Sequence, residues 1–181
     1  MYGLVNKAVQ EMVTELHGDT VWQTILDRAG IDIDHFIGLE SYPDEVTYKL
    51  VGAACEVLNA PAEAILESFG EYWVLYTGRT AYGPMLTSYG SDAISLLRNL
   101  DSMHRRISLS MPHLKPPRFK CTDDGDRSIQ VHYYSERDGL APMVIGLLRG
   151  CGQLFGTPAD VEQVASKAAG ADHDVFLFRL R

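Results

Sequence analysis

Cysteine is scarce in this chain: Cys55, Cys121 and Cys151 are far apart and odd in number. No C-x-x-C pair occurs, which excludes a zinc knuckle or a dithiol redox motif. Each thiol stands among apolar neighbours and is expected as a buried free cysteine of a reducing compartment. Basic residues are outnumbered, 16 Lys and Arg against 24 Asp and Glu, for a net charge of −8. That balance excludes the basic stripe a nucleic acid requires and disfavours docking on an anionic membrane surface. No apolar run approaches the roughly 20 residues needed to span a bilayer. The opening Met1-Tyr2-Gly3-Leu4-Val5-Asn6-Lys7 lacks the charged start and long apolar stretch of a signal peptide. Internal repeats, low-complexity segments and kinase or cyclase signatures are also missing. The expectation is a soluble, cytoplasmic protein, not an enzyme, with neither nucleic acid nor membrane as partner.

What is present is a core. At 181 residues with 46% apolar and 22% charged content, the chain fits one globular domain that can enclose an apolar ligand without disulfides. Leu4, Val5, Ala8, Val9, Met12 and Leu16 repeat at helical spacing up to Gly18. Asp19-Thr20 is read as the cap of a second helix carrying Val21, Trp22, Ile25 and Leu26 and stopping at Gly30. A third helix starts at Asp44, and a fourth opens at Pro61 and runs through Phe69 and Trp73 to Tyr76. Residues 77–91, rich in Gly, Thr, Ser and Pro, are expected to be a long connection, followed by a helix from Ser91-Asp92 to about Ser108. Beyond Pro112 the period shifts to two: Phe119 and Cys121, a turn at Asp123-Asp124-Gly125-Asp126, then Ile129, Val131 and Tyr133 predict a hairpin. Residues 140–155 return to helical spacing, residues 161–167 give no clear signal, and Val175–Leu180 reads as a strand pairing with the hairpin. The class is α+β in a single domain spanning 1–181, with a helical part over about 1–60 and a sheet-bearing part over about 61–181.

Two constellations carry chemistry. In an extended chain Tyr133, Ser135 and Arg137 project from one face, bringing a phenol, a hydroxyl and a guanidinium to one patch suited to carboxylates or phosphates. The same spacing also describes a polar outer strand face with Arg137 in a surface ion pair. His104 shares a helix face with Leu97, Leu100 and Ile107, so it is either a core histidine bonded to a carbonyl or a metal ligand facing an apolar chamber. Pro112 and Pro116-Pro117 stiffen the segment after that helix, as a helix stop or as a fixed wall. Taken together, one histidine in an apolar chamber and a triple-donor patch one hairpin away match haem, which needs an axial base, apolar walls and donors for two propionates.

On Met1-Tyr2-Gly3-Leu4-Val5-Asn6, on His104 followed by Pro117, and on Tyr133-x-Ser135-x-Arg137 leading into Gly139-Leu140, the chain resembles the H-NOX haem domains along its whole length. These are relatives of the haem-binding part of soluble guanylate cyclase, and the stand-alone, cyanobacterial-like members are the most similar in kind. The resemblance implies a helical distal subdomain, a proximal subdomain with helices and a small antiparallel sheet, and haem b between them. It implies His104 as the iron's axial ligand, Tyr133, Ser135 and Arg137 on the propionates, and Pro117 pressed against the macrocycle. Leu100, Val5, Val9 and Leu147 would be haem contacts. Met143 takes the place of the distal tyrosine in O₂-binding members and has no proton to donate, so the resemblance implies NO and CO as ligands with O₂ excluded. Trp73 is read either as core filling or as a donor lining the gas side. Signalling by conformational change to a histidine kinase or a cyclic-di-nucleotide enzyme is what the family would imply. Other readings are O₂ storage, a haem enzyme of the peroxidase kind, and a haem-free interaction module.

Overall fold

A computed structural model describes residues 1–33, 35–80, 82–125 and 127–181. They form two compact units, Met1–Phe69 and Gly70–Arg181. The division falls inside a helix rather than near residue 60. Among the described residues there are seven α-helices and four strands.

The N-terminal unit is helical. In α1 (Gly3–His17) the apolar stripe buries Ala8, Val9, Met12 and Val13, as the spacing predicts. Asp19 and Thr20 do not cap α2 (Asp19–Ala29). Gly18, at φ 88°, both ends α1 and precedes α2, and Asp19 is already helical. Glycine adopts this backbone at no steric cost, which leaves the Asp19 charge to favour the helix N-terminus through the dipole. Gly30 closes α2 in the left-handed conformation. α3 (Asp44–Leu58) and the first half of α4 (Ala62–Arg79) complete the unit. Its core holds Val13, Ile25 and Leu50, together with a polar pair: Thr47 Oγ1 donates to Asn6 Oδ1 at 2.6 Å. Among the described residues, Asn6 Nδ2 and Trp22 Nε1 are buried with no hydrogen-bond partner. A largely apolar cavity of about 90 Å³ is lined by Val9, Met12, Val13, Ala54 and Phe69, among others.

The C-terminal unit packs helices on a sheet. Residues 77–91 are not a long connection: α4 runs to Arg79 and α5 (Gly83–Ser88) follows. The Thr77 and Thr80 hydroxyls return to the carbonyls of Trp73 and Thr77, so the polar run stays helical. Pro84 sits in the first turn of α5, where its missing N–H costs nothing. Ala81 of this stretch and Asp126 of the hairpin turn lie outside the described residues. α6 (Ala93–Ser110) starts at a capping box in which Asp92 and Ser95 satisfy each other's backbone amides. The hairpin forms as expected from β1 (Arg118–Asp123) and β2 (Ser128–Tyr134). After α7 (Ala141–Leu154), the unassigned stretch becomes β3 (Ala159–Ala165). Its burial alternates, but through Ala159, Val161 and Gln163, a signal too polar to read. β4 (Asp174–Leu180) then enters antiparallel between β2 and β3, in the order β1-β2-β4-β3. Phe176 and Phe178 of β4 meet Ile129, Val131, Leu97, Val144 and Leu148 in one core. The fold is α+β. No described helix is long and apolar enough to cross a membrane.

Candidate cofactor site

His104 lies on the fourth turn of α6, a helix fixed by its capping box. Leu97 is buried and Leu100 packs on the core, so the stripe that carries His104 faces inward. Three ties run along β1 and the residue before it in antiparallel order. Arg98 pairs with Asp123, Asp101 Oδ1 accepts from the Phe119 amide at 3.3 Å, and His104 Nδ1 donates to the Pro117 carbonyl at 3.4 Å. That last bond puts the proton on Nδ1 and the lone pair on Nε2. Burial pushes the His104 pKa down, against smaller upward pulls from the Pro117 bond and Asp101. The imidazole is therefore neutral near pH 7, the form that binds a metal.

Among the described residues no three His, Cys, Asp or Glu are grouped to hold a bare ion. A single neutral imidazole in an apolar setting is the donor set haem iron asks of a protein, because the porphyrin supplies the equatorial nitrogens. The residues present fit that group.

Aromatic contacts lead from His104 to the polar motif. The His104 and Phe119 ring centroids are 5.7 Å apart, Phe119 and Tyr133 are 5.4 Å apart, and Tyr133 meets Phe176 edge-on at 6.5 Å. Tyr133 is paired with Phe119 across β1–β2 and with Asp174 across β2–β4. The one-face reading of Tyr133, Ser135 and Arg137 does not hold as drawn, because β2 ends at Tyr134. The chain then turns, and Ser135 Oγ accepts from the Arg137 amide at 3.0 Å. A short hydroxyl side chain bonding the backbone two residues on replaces the strand. Arg137 Nη1 donates to the Lys115 carbonyl at 3.0 Å.

Trp73 on α4 and Leu147 on α7 both pack against the C-terminal core, and Met143 is half-buried in the first turn of α7. Sequence reasoning missed what brings these helices together. A Cβ on Gly70 would lie 2.1 Å from the Met143 carbonyl oxygen and 2.8 Å from the Leu147 amide, so α4 and α7 touch backbone to backbone there. Glycine inside a helical pattern was the available signal. Phe119 and Asp101 were missed as well, since only the tertiary register of α6 on β1 reveals them. Val5 and Val9 lie on α1 of the N-terminal unit, Val9 buried and Val5 half-buried.

The cysteines are free, but only Cys151 is buried. Burial raises its pKa to about 12 and that of Cys121 to about 11, so neither is a nucleophile at neutral pH. His132 and His173 share a hydrogen bond at 2.9 Å.

Residues 2–163 match the Haem-NO-binding family, and the chain belongs to it. It is a haem-binding gas-sensor domain of the soluble guanylate cyclase type. It is 30% identical over 156 residues to soluble guanylate cyclase gcy-35 of Caenorhabditis elegans, covering 82% of this chain and 22% of that one. It is 31% identical over 121 residues to guanylate cyclase soluble subunit beta-2 of Rattus norvegicus, covering 64% of this chain and 18% of that one. The chain thus spans about a fifth of the length of these relatives. In fold it is similar to an H-NOX protein from S. oneidensis in the Fe(II)NO ligation state, with TM-score 0.89 and 20% identity, covering 100% and 99% of the two chains. It is also similar to an H-NOX mutant from K. algicida, with TM-score 0.82 and 16% identity, covering 100% and 97%.

Proposed function

We propose that this chain holds haem b and senses NO and CO at ferrous iron, discriminates against O₂, and passes the change to a separate partner protein. The observation that supports it most is the neutral His104 imidazole, pinned through Nδ1 to Pro117 so that Nε2 is left to ligate. Bound haem supplies an iron with an open position for a diatomic gas. His104 would ligate that iron, Tyr133, Ser135 and Arg137 would donate to the propionates, and Pro117 would contact the macrocycle. Leu100 and Leu147 would supply apolar wall, and Trp73 and Met143 would line the gas pocket. Met143 offers a thioether where bound O₂ would need a hydrogen-bond donor, whereas NO and CO need none.

A displacement of the His104 ring acts on the Pro117 carbonyl and the Phe119 ring, both bound to β1 at the sheet's edge. This gives a two-state element with a surface that a partner can read. By family resemblance the partner is a histidine kinase or a cyclic-di-nucleotide enzyme. The similarity to guanylate cyclases favours a cyclase output as the second reading. The test is gas selection by the reduced protein. NO and CO should each shift the Soret band, while air should leave no stable O₂ complex in wild type and a detectable one in Met143→Tyr. A stable O₂ complex in the wild type contradicts the proposal.

A further inference from the structure

Two of the three propionate donors sit on a turn with no ladder to hold it, since β2 stops at Tyr134. Arg137 Nη1 anchors one side of that turn on the Lys115 carbonyl. The other side meets Lys167, which opens the 3-10 turn Lys167–Ala169 after β3. Its Nζ donates to Asp138 Oδ1 at 2.8 Å and to the Ser135 carbonyl at 3.4 Å.

The Lys167 backbone amide donates to Asp174 Oδ1 at 2.9 Å, an oxygen also held by Gln163 Nε2 at 2.8 Å. Asp174 is buried and faces Tyr133 across the β2–β4 ladder. The β3 register slips between Gln163 and Ala165, the irregularity that turns the chain out of the sheet just ahead of Lys167. One residue therefore joins Asp174, the partner of Tyr133 on the neighbouring strand β4, to the turn that carries Ser135 and Arg137. The Asp138 carboxylate keeps the Lys167 ammonium above its ordinary pKa, so the tie is ionic at any physiological pH. Lys167 also lies beyond residue 163, where the family match ends.

We infer that Lys167 is a positioning residue for haem: it braces the Ser135–Asp138 turn so that Ser135 and Arg137 stay in station with Tyr133 over the propionates. The inference rests on the assignment of those three residues to the propionates. A long cationic side chain is needed, not merely bulk, because it bonds both a carboxylate and a carbonyl.

The experiment measures haem transfer from the purified holoprotein to excess apomyoglobin, with resonance Raman of the propionate bending modes, for Lys167→Ala, Lys167→Arg, Asp138→Ala and Arg137→Ala. The Lys167 side chain is 43% exposed, and far-UV circular dichroism checks that each variant is folded. Lys167→Ala and Asp138→Ala should each speed haem loss about three- to tenfold and shift the propionate modes, with Lys167→Arg close to wild type and the combined Lys167→Ala and Asp138→Ala variant no worse than the larger single one. Unchanged haem loss in Lys167→Ala, with Arg137→Ala faster, overturns the inference and leaves the propionate assignment standing. Unchanged haem loss in Arg137→Ala overturns the assignment itself, and the inference with it.

Discussion

The two units differ most in charge. Met1–Phe69 carries 12 acidic and three basic residues, whereas the remaining residues carry 12 acidic and 13 basic. The first unit is therefore −9 and the second +1, so the net acidity of the whole chain belongs to the N-terminal unit. They differ in construction too. The N-terminal unit buries helix stripes between near neighbours in sequence. The C-terminal unit assembles His104, Phe119, Tyr133 and Asp174 from α6 and three strands. A whole-chain charge of −8 thus says little about the sheet-bearing unit that carries the candidate iron ligand and the polar motif, which is close to neutral and rich in arginine.

The comparison can be pressed by mutation. The largest loss is expected at β4: Phe176→Ala empties a fully buried position at the centre of the sheet and should cost about 4 kcal/mol in urea unfolding. A cost below that of Leu50→Ala in the N-terminal unit would contradict the view that β4 is the keystone of the second core. Next comes Gly70→Ala, which drives a methyl into the Met143 carbonyl and should cost about 3 kcal/mol by parting α4 from α7. Thr47→Val in the N-terminal unit leaves the buried Asn6 carbonyl without its donor, for about 1–2 kcal/mol. A change near zero would mean that water already serves Asn6.

The smallest effect is a pH slope. Burial, then His173 and Lys120, hold the His132 pKa below its ordinary value. The unfolded chain takes up this proton first as pH falls, so the contribution is intact above about pH 6.5 and lost below it, toward the folded-state pKa. His132→Asn should flatten the stability profile between pH 7 and 5, and an unchanged slope would assign the titration elsewhere.

Much of the fold was legible because helices announce themselves locally. The stripe Leu97, Leu100, His104 and Ile107 and the stop at Gly30 depend on residues one or two turns apart. Tyr133 was legible too, since Ile129, Val131 and Tyr133 alternate within one strand. Ser135 and Arg137 were placed on the wrong backbone, because Ser135 can close a turn on the Arg137 amide and spacing alone does not tell a turn from a strand end. Asp101, Phe119 and Lys167 stayed hidden for another reason. Each matters only through a partner at least 18 residues away, at Phe119, Asp101 and Asp138 respectively. β3 went unread because its inward positions include Ala159 and Gln163, which carry little hydrophobic signal.

The central claim is one coordinate bond, from His104 Nε2 to haem iron. Its most direct test is the absorption spectrum of reduced wild type and His104→Gly, with free imidazole added to the latter. Wild type should show the Soret band of a histidine-ligated ferrous haem; the variant should lose that band's position and regain it with imidazole. A His104→Gly protein whose haem spectrum matches wild type without imidazole would contradict the account.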